Sequence, residues 1–181
     1  MITLTPAEQA HRALLESWRA AMDLIGPGDA MAHFIDCAQA VDGLPATGRW
    51  ADLGRGAGFP GVALAARHPD TQVLLVESRR KRAIFLDQVL SAAKLPNATV
   101  FRGRVESLDD RSVDGVISRA YKAPDAFLVD ATRLVRPSGY AVVMLGGGAR
   151  LDAPLGWTLC DVRRYPVADG DRQRALLQRD D

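Results

Sequence analysis

Few residues in this sequence suit metal, disulfide or membrane chemistry. Of 181 residues only two are cysteine, Cys37 and Cys160, and only three are histidine. The thiols lie far apart and form no Cys-x-x-Cys, which argues against a zinc site or a disulfide framework. Both read as small buried hydrophobes. No apolar run approaches the ~20 residues of a membrane span, and Glu8, Glu16 and Asp23 interrupt the stretch where a signal peptide would lie. A cytoplasmic protein, with no membrane and no metal, is the expectation. An excess of charge is missing too: the net charge is +1, so no global basic field marks a nucleic-acid partner. The positive charge is instead concentrated in mid-chain, at Arg79 to Arg82, Arg102, Arg104, Arg133 and Arg136. That pattern suits a local basic face or a solvated helix surface.

What is present is ordinary globular composition, 48% hydrophobic and 25% charged, in a length that suits one domain over residues 1–181. Apolar residues from Ala10 through Leu14, Trp18 and Met22 to Ile25 recur at helical spacing, opened by Thr5 and Pro6. This predicts a helix from Thr5 to about Leu24, and a second follows from about Ala30 to Val41. Together they form a cap over residues 1–45. From residue 46 the period changes. Strands are expected at 49–54, 71–78, 98–103, 113–120 and 139–146, with helices at 60–68, 79–95 and 124–135 between them. The turn Pro137-Ser138-Gly139 introduces the fifth strand. Two last strands, 156–167 and 172–180, are joined by the turn at 169–171 and must run antiparallel. Strand and helix in alternation give an α/β, doubly wound, mostly parallel sheet of seven strands ending in an antiparallel edge hairpin.

The first strand runs into ADLGRGAGFPG, residues 51–61, and two ligand classes compete for that turn. Glycine lets backbone approach a ligand closely, and in such sheets ligands bind beyond the carboxyl ends of the strands. GAGFPG satisfies the dinucleotide pattern, with Glu77 closing the second strand about 20 residues on. Asp52, Gly54, Gly56 and Gly58 equally satisfy the acidic-x-Gly-x-Gly-x-Gly pattern of S-adenosylmethionine-dependent methyltransferases. Three features favour the methyl donor: the extra helices precede the sheet, the sheet ends in an antiparallel hairpin, and Pro60 is not how a dinucleotide fingerprint usually reads.

Several segments, in one order over nearly the whole chain, resemble the RsmG (GidB) family of 16S rRNA guanine-N7 methyltransferases. They are GAGFPG, VESRRKRAIFLDQVLSAAKL, RGRVESL and DGVISRAY, with Trp18 and HFIDC (33–37) upstream and GDRQRALL near the C-terminus. The resemblance implies a Rossmann-like class I methyltransferase fold, S-adenosylmethionine as cofactor, and a guanosine in the 530 loop of 16S rRNA as substrate. With so modest a net charge, a partly assembled small subunit is the expected form of that RNA. It further implies that Asp52, Gly54, Arg55, Gly56, Gly58, Phe59 and Glu77 hold the donor, Glu77 at the ribose, and that Val105 and Glu106 flank the adenine. Arg119 takes the position of the family's active-site arginine, touching donor and acceptor. His33, Lys81, Arg82 and Arg104 would face RNA. The chain departs from the family at Arg55, where serine or threonine is usual, and at Gly146, where a lysine is expected; Asp171 and Gln173 replace a Glu and a His. His33 and Asp36 stand three apart on one helix face, a spacing that suits a packing pair as well as a substrate contact.

Overall fold

In the computed structural model the described residues are 2–19, 21–26, 29–54, 56–168 and 170–181. Arg55 and the first residue of the expected turn, Asp169, therefore lie outside them. Seven strands form one sheet: β1 (Arg49–Leu53), β2 (Gln72–Val76), β3 (Ala98–Phe101), β4 (Val113–Ser118), β5 (Val135–Gly146), β6 (Trp157–Val167) and β7 (Gly170–Arg179). Their spatial order is β3-β2-β1-β4-β5-β7-β6. The first five are parallel, and β7 runs antiparallel between β5 and β6. Among the described residues five helices, α1 (Pro6–Trp18), α2 (Ala30–Val41), α3 (Gly61–Arg67), α4 (Arg80–Ala93) and α5 (Pro124–Leu134), cover it. Burial explains the strand sequences: β1 and β2 are each exposed only at their first residue, as strands covered on both faces require. Trp50, Phe34 and Phe85 fill the layer under α1 to α4, and Phe127, Leu128 and Leu134 the layer under α5.

Four expectations change. The first helix ends at Trp18, because Ala21 and Met22 both donate back to the Trp18 carbonyl in a turn, and Leu24 and Ile25 then lie against the sheet's open end. Its buried residues are Glu8, His11 and Leu15, where the apolar periodicity points to a face through Ala10, Leu14 and Trp18. Glu8 is tolerated inside because Arg67 grips both its oxygens at 2.8 Å and Thr5 closes a capping box with it. The Pro137-Ser138-Gly139 turn is a bulge within β5: the register slips between Val113 and Gly115 and Ser138 has φ +60°. Of the thiols, Cys37 is buried as expected, but Cys160 is exposed on the edge strand β6, whose outer face nothing covers among the described residues.

Candidate active site

The sheet reverses its winding between β1 and β4, and their carboxyl ends open two adjoining clefts. The first, about 460 Å³, is walled by Asp23, Ile25, Gly54, Glu77, Arg82 and Tyr121. The glycine turn shapes it. Gly56 has φ +60°, and a Cβ there would stand 2.4 Å from Glu77 Oε2, so the turn and the end of β2 close on each other only without a side chain. At Gly61 a Cβ would fall 2.6 Å from Asp52 Oδ2 and 2.2 Å from Leu75 Cδ2. Asp52 Oδ2 accepts from the Gly61 amide at 2.8 Å, which ties β1 to the start of α3. Its other oxygen is buried against Gly54 with no partner among the described residues, and burial pushes the carboxyl up to about 7. Glu77 is buried at the end of β2, with one oxygen accepting from the Arg79 amide at 2.6 Å.

Beneath this turn lies His11, a residue that no motif marks. Its Nε2 donates to the Ala57 carbonyl at 2.7 Å, and its ring packs against Phe34 and Phe59 with centroids 5.0 Å away in each case. Burial holds its pKa down to about 4, so the ring is neutral and acts as a prop for the turn.

The second cleft, about 360 Å³, is walled by His33, Ser118, Arg119, Lys122, Gly146 and Arg172, with Asp36 beside them. Arg119 follows β4 and stands with Cζ 5.0 Å above the Phe59 ring. It donates through NH1 to Asp36 Oδ2 at 3.4 Å and through NH2 to His33 Nδ1 at 3.1 Å. A guanidinium only donates. His33 Nδ1 therefore accepts, and in the neutral ring the proton sits on Nε2. Asp36 Oδ1 accepts from the Tyr165 hydroxyl at 3.0 Å. Burial raises the Asp36 carboxyl, while Arg119, Tyr165 and Arg172 oppose that shift.

The sequence-derived set divides accordingly. Gly54 and Glu77 line the first cleft, with Asp52 against Gly54 and Gly56 against Glu77; Arg119 and His33 meet in the second; Gly58 and Phe59 line neither, but both pack on His11, and the Phe59 ring lies under Arg119 and against His33. Val105 and Glu106 form a 3-10 turn beyond β3, Val105 buried and Glu106 exposed, and neither lines either cleft. Lys81 and Arg104 are exposed. Arg82 does not join them: its side chain folds over Gly56 into the first cleft, and its guanidinium donates to the Asp23 carbonyl at 2.9 Å. The reason is position, since the first turn of α4 faces the end of β1. Asp36 and Arg172 complete the lining of the second cleft and Tyr165 backs Asp36 from β6; of the three only Asp36 drew notice in the sequence, through its spacing from His33.

A sheet of this order with an antiparallel seventh strand, and clefts at its switch point, defines the class I methyltransferase fold. Known structures agree on the fold. The cofactor-bound Rv0187 from MTB superposes with a TM-score of 0.71 over 100% of this chain and 93% of that one, at 21% identity. The O-methyltransferase from Bacillus cereus in complex with SAH gives 0.66 over 99% and 93%, at 15% identity. Sequence then narrows the class: the family model GidB, rRNA small subunit methyltransferase G, matches residues 7–154. The ribosomal RNA small subunit methyltransferase G of Xanthomonas oryzae pv. oryzae is 34% identical over 175 residues, 92% of this chain and 82% of that protein. The protein of the same name from Erythrobacter litoralis is 38% identical over 143 residues, 72% and 69% of the two chains. The chain belongs to the rRNA small subunit methyltransferase G family, whose methyl donor is S-adenosylmethionine.

Proposed function

We propose that this protein methylates N7 of a guanosine in the 530 loop of 16S rRNA, as a cytoplasmic enzyme, and that it meets the RNA in a partly assembled small subunit. Arg119 carries the reading: it stacks on Phe59, a residue of the glycine turn that shapes the donor cleft, and it lines the neighbouring cleft, which we assign to the acceptor base. S-adenosylmethionine, when bound, supplies a methyl group on a sulfonium, a carbon electrophilic enough to be taken directly by a ring nitrogen. The residues of the first cleft fit it. The Asp52 oxygen that has no partner among the described residues offers an acceptor for the donor's ammonium, Gly54 and Gly56 leave room for its methionine end, and Glu77 offers a carboxylate to the ribose hydroxyls.

The lone pair of guanine N7 is available at neutral pH, so no general base is required, and catalysis rests on in-line positioning. The second cleft fits that demand. Asp36 is bound to Arg119 and Tyr165 and serves as a support for the guanidinium. Arg119 and the Nε2–H side of His33 are donors, which suits an O6 acceptor beside N7 and disfavours adenine, whose amino group is itself a donor. The test is to map N7-methylguanosine in 16S rRNA from cells lacking the protein and from cells with it restored. We expect the modification to vanish and return; its persistence in the deleted strain would refute the assignment. Transfer to small-subunit particles should exceed transfer to naked 16S rRNA, since a net charge of +1 gives little nonspecific attraction to RNA.

A further inference from the structure

The guanidinium of Arg119 is held from the far edge of the sheet. Tyr165 belongs to β6, the outermost strand, yet its hydroxyl reaches across to α2 and donates to Asp36 Oδ1 at 3.0 Å, buried. The opposite oxygen of the same carboxylate takes Arg119 at 3.4 Å. Asp36 thus has its two oxygens committed in opposite directions, one to the arginine and one to the tyrosine. Among the described residues the groups around it are His33 and Cys37 on its own helix, Arg119 after β4, Tyr165 on β6 and Arg172 on β7. Among these, Tyr165 fixes the plane of the carboxylate, because its rigid ring is buried and has one polar atom to place.

We propose that Tyr165 is a positioning residue for methyl transfer: through Asp36 it sets the orientation of Arg119 over Phe59, and so the place of the acceptor base. This rests on the rRNA methyltransferase reading given above. Removing the hydroxyl leaves the ring volume intact and Asp36 Oδ1 buried without its donor. Two effects follow. The carboxylate is free to rotate, which lets the guanidinium shift by a fraction of an ångström to an ångström. The carboxyl, already raised by burial with the tyrosine hydrogen bond among the influences opposing that rise, takes up a proton at higher pH, and protonation removes the negative half of the clamp.

The experiment compares wild type, Tyr165→Phe and Asp36→Asn. Methyl transfer to small-subunit particles is followed from pH 5 to 9, with the Asp36 carboxyl titrated by carbon-13 NMR and the Arg119 Nε–H signal recorded on the same proteins. In Tyr165→Phe we expect kcat about tenfold lower at neutral pH, KM for the particle and affinity for S-adenosylhomocysteine within twofold, the Asp36 midpoint and the acid limb of kcat both moved upward, and the Arg119 signal broadened. Asp36→Asn should lower kcat across the range and abolish that limb. A Tyr165→Phe protein with wild-type kcat and pH profile overturns the proposal, whichever way Asp36 titrates. If the wild-type protein methylates no 16S rRNA, the rRNA reading falls, and the clamp is judged on the NMR pair alone: shifted signals sustain it and unchanged signals overturn it.

Discussion

The donor half and the acceptor half of the site are built by different means. Around the glycine turn, backbone and burial do the holding: Asp52 on Gly61, His11 under Ala57, Glu77 on the Arg79 amide, all within or against one short loop. In the second cleft, side chains hold side chains: Tyr165, Asp36, Arg119 and His33 come from β6, α2 and the end of β4. A loop shaped by missing Cβ atoms fails when atoms are added. A side-chain network fails when one member is removed, because a desolvated partner is left behind.

The sharpest way to break that contrast is Arg119→Ala. Methyl transfer should fall on the order of 100-fold, while calorimetry with S-adenosylhomocysteine stays within about twofold of wild type and the melting temperature moves by only a few degrees. Loss of donor binding along with activity would show that the two halves are one.

Acid titration probes the donor half next. His11, lowered from 6.5 to about 4, stays unprotonated in the folded state while the unfolded chain takes up a proton, so its contribution to stability is lost as pH falls through that window. Asp52, raised from 3.8 to about 7, has the opposite sign: the folded state keeps a proton the unfolded chain releases, a contribution lost as pH rises toward 7. In the wild type the two largely cancel. Asp52→Asn removes one of them, so its stability by urea denaturation should drop relative to wild type by about 3 kcal/mol between pH 7 and 4, from the size of the shifts. Parallel pH profiles for the two proteins would mean that Asp52 titrates normally.

Smaller still is Gly61→Ala, which puts a methyl against Leu75 and the Asp52 carboxylate. The cost should be about 1–3 kcal/mol of stability, with weaker donor affinity and an intact Arg119 clamp by NMR. Unchanged donor affinity would detach the turn from the donor.

This division explains what could be read from the sequence. The alternation of periods places all seven strands and the order of helices, and the motif at 52–61 places the donor turn, because those signals are local and recur at fixed spacing. The core face of α1 was not legible, since Glu8 and His11 are polar and become core residues only through Arg67 and Ala57, partners more than 40 positions away. Tyr165 carried no signal for the same reason: its partner Asp36 is 129 residues distant. Arg82, one of four consecutive basic residues, was given an RNA-facing role by the family resemblance, and its place on the first turn of α4 puts its side chain on the donor cleft.

Lys81 and Arg104, which are exposed on the first turn of that helix and beyond β3, belong to neither half, and they offer the gentlest test. If they meet RNA as surface cations, each alanine variant should lose a contact to a phosphate without any effect on the fold. Binding to small-subunit particles would weaken a few-fold, and the slope of log affinity against log salt would fall by about one per residue removed. Donor affinity, kcat at saturating RNA and melting temperature should all stay at wild-type values, because neither side chain lines either cleft. An unchanged salt slope in the double variant would place the RNA elsewhere, on the face that carries Lys122 and Arg172, and would make the acceptor cleft itself the chief source of RNA affinity.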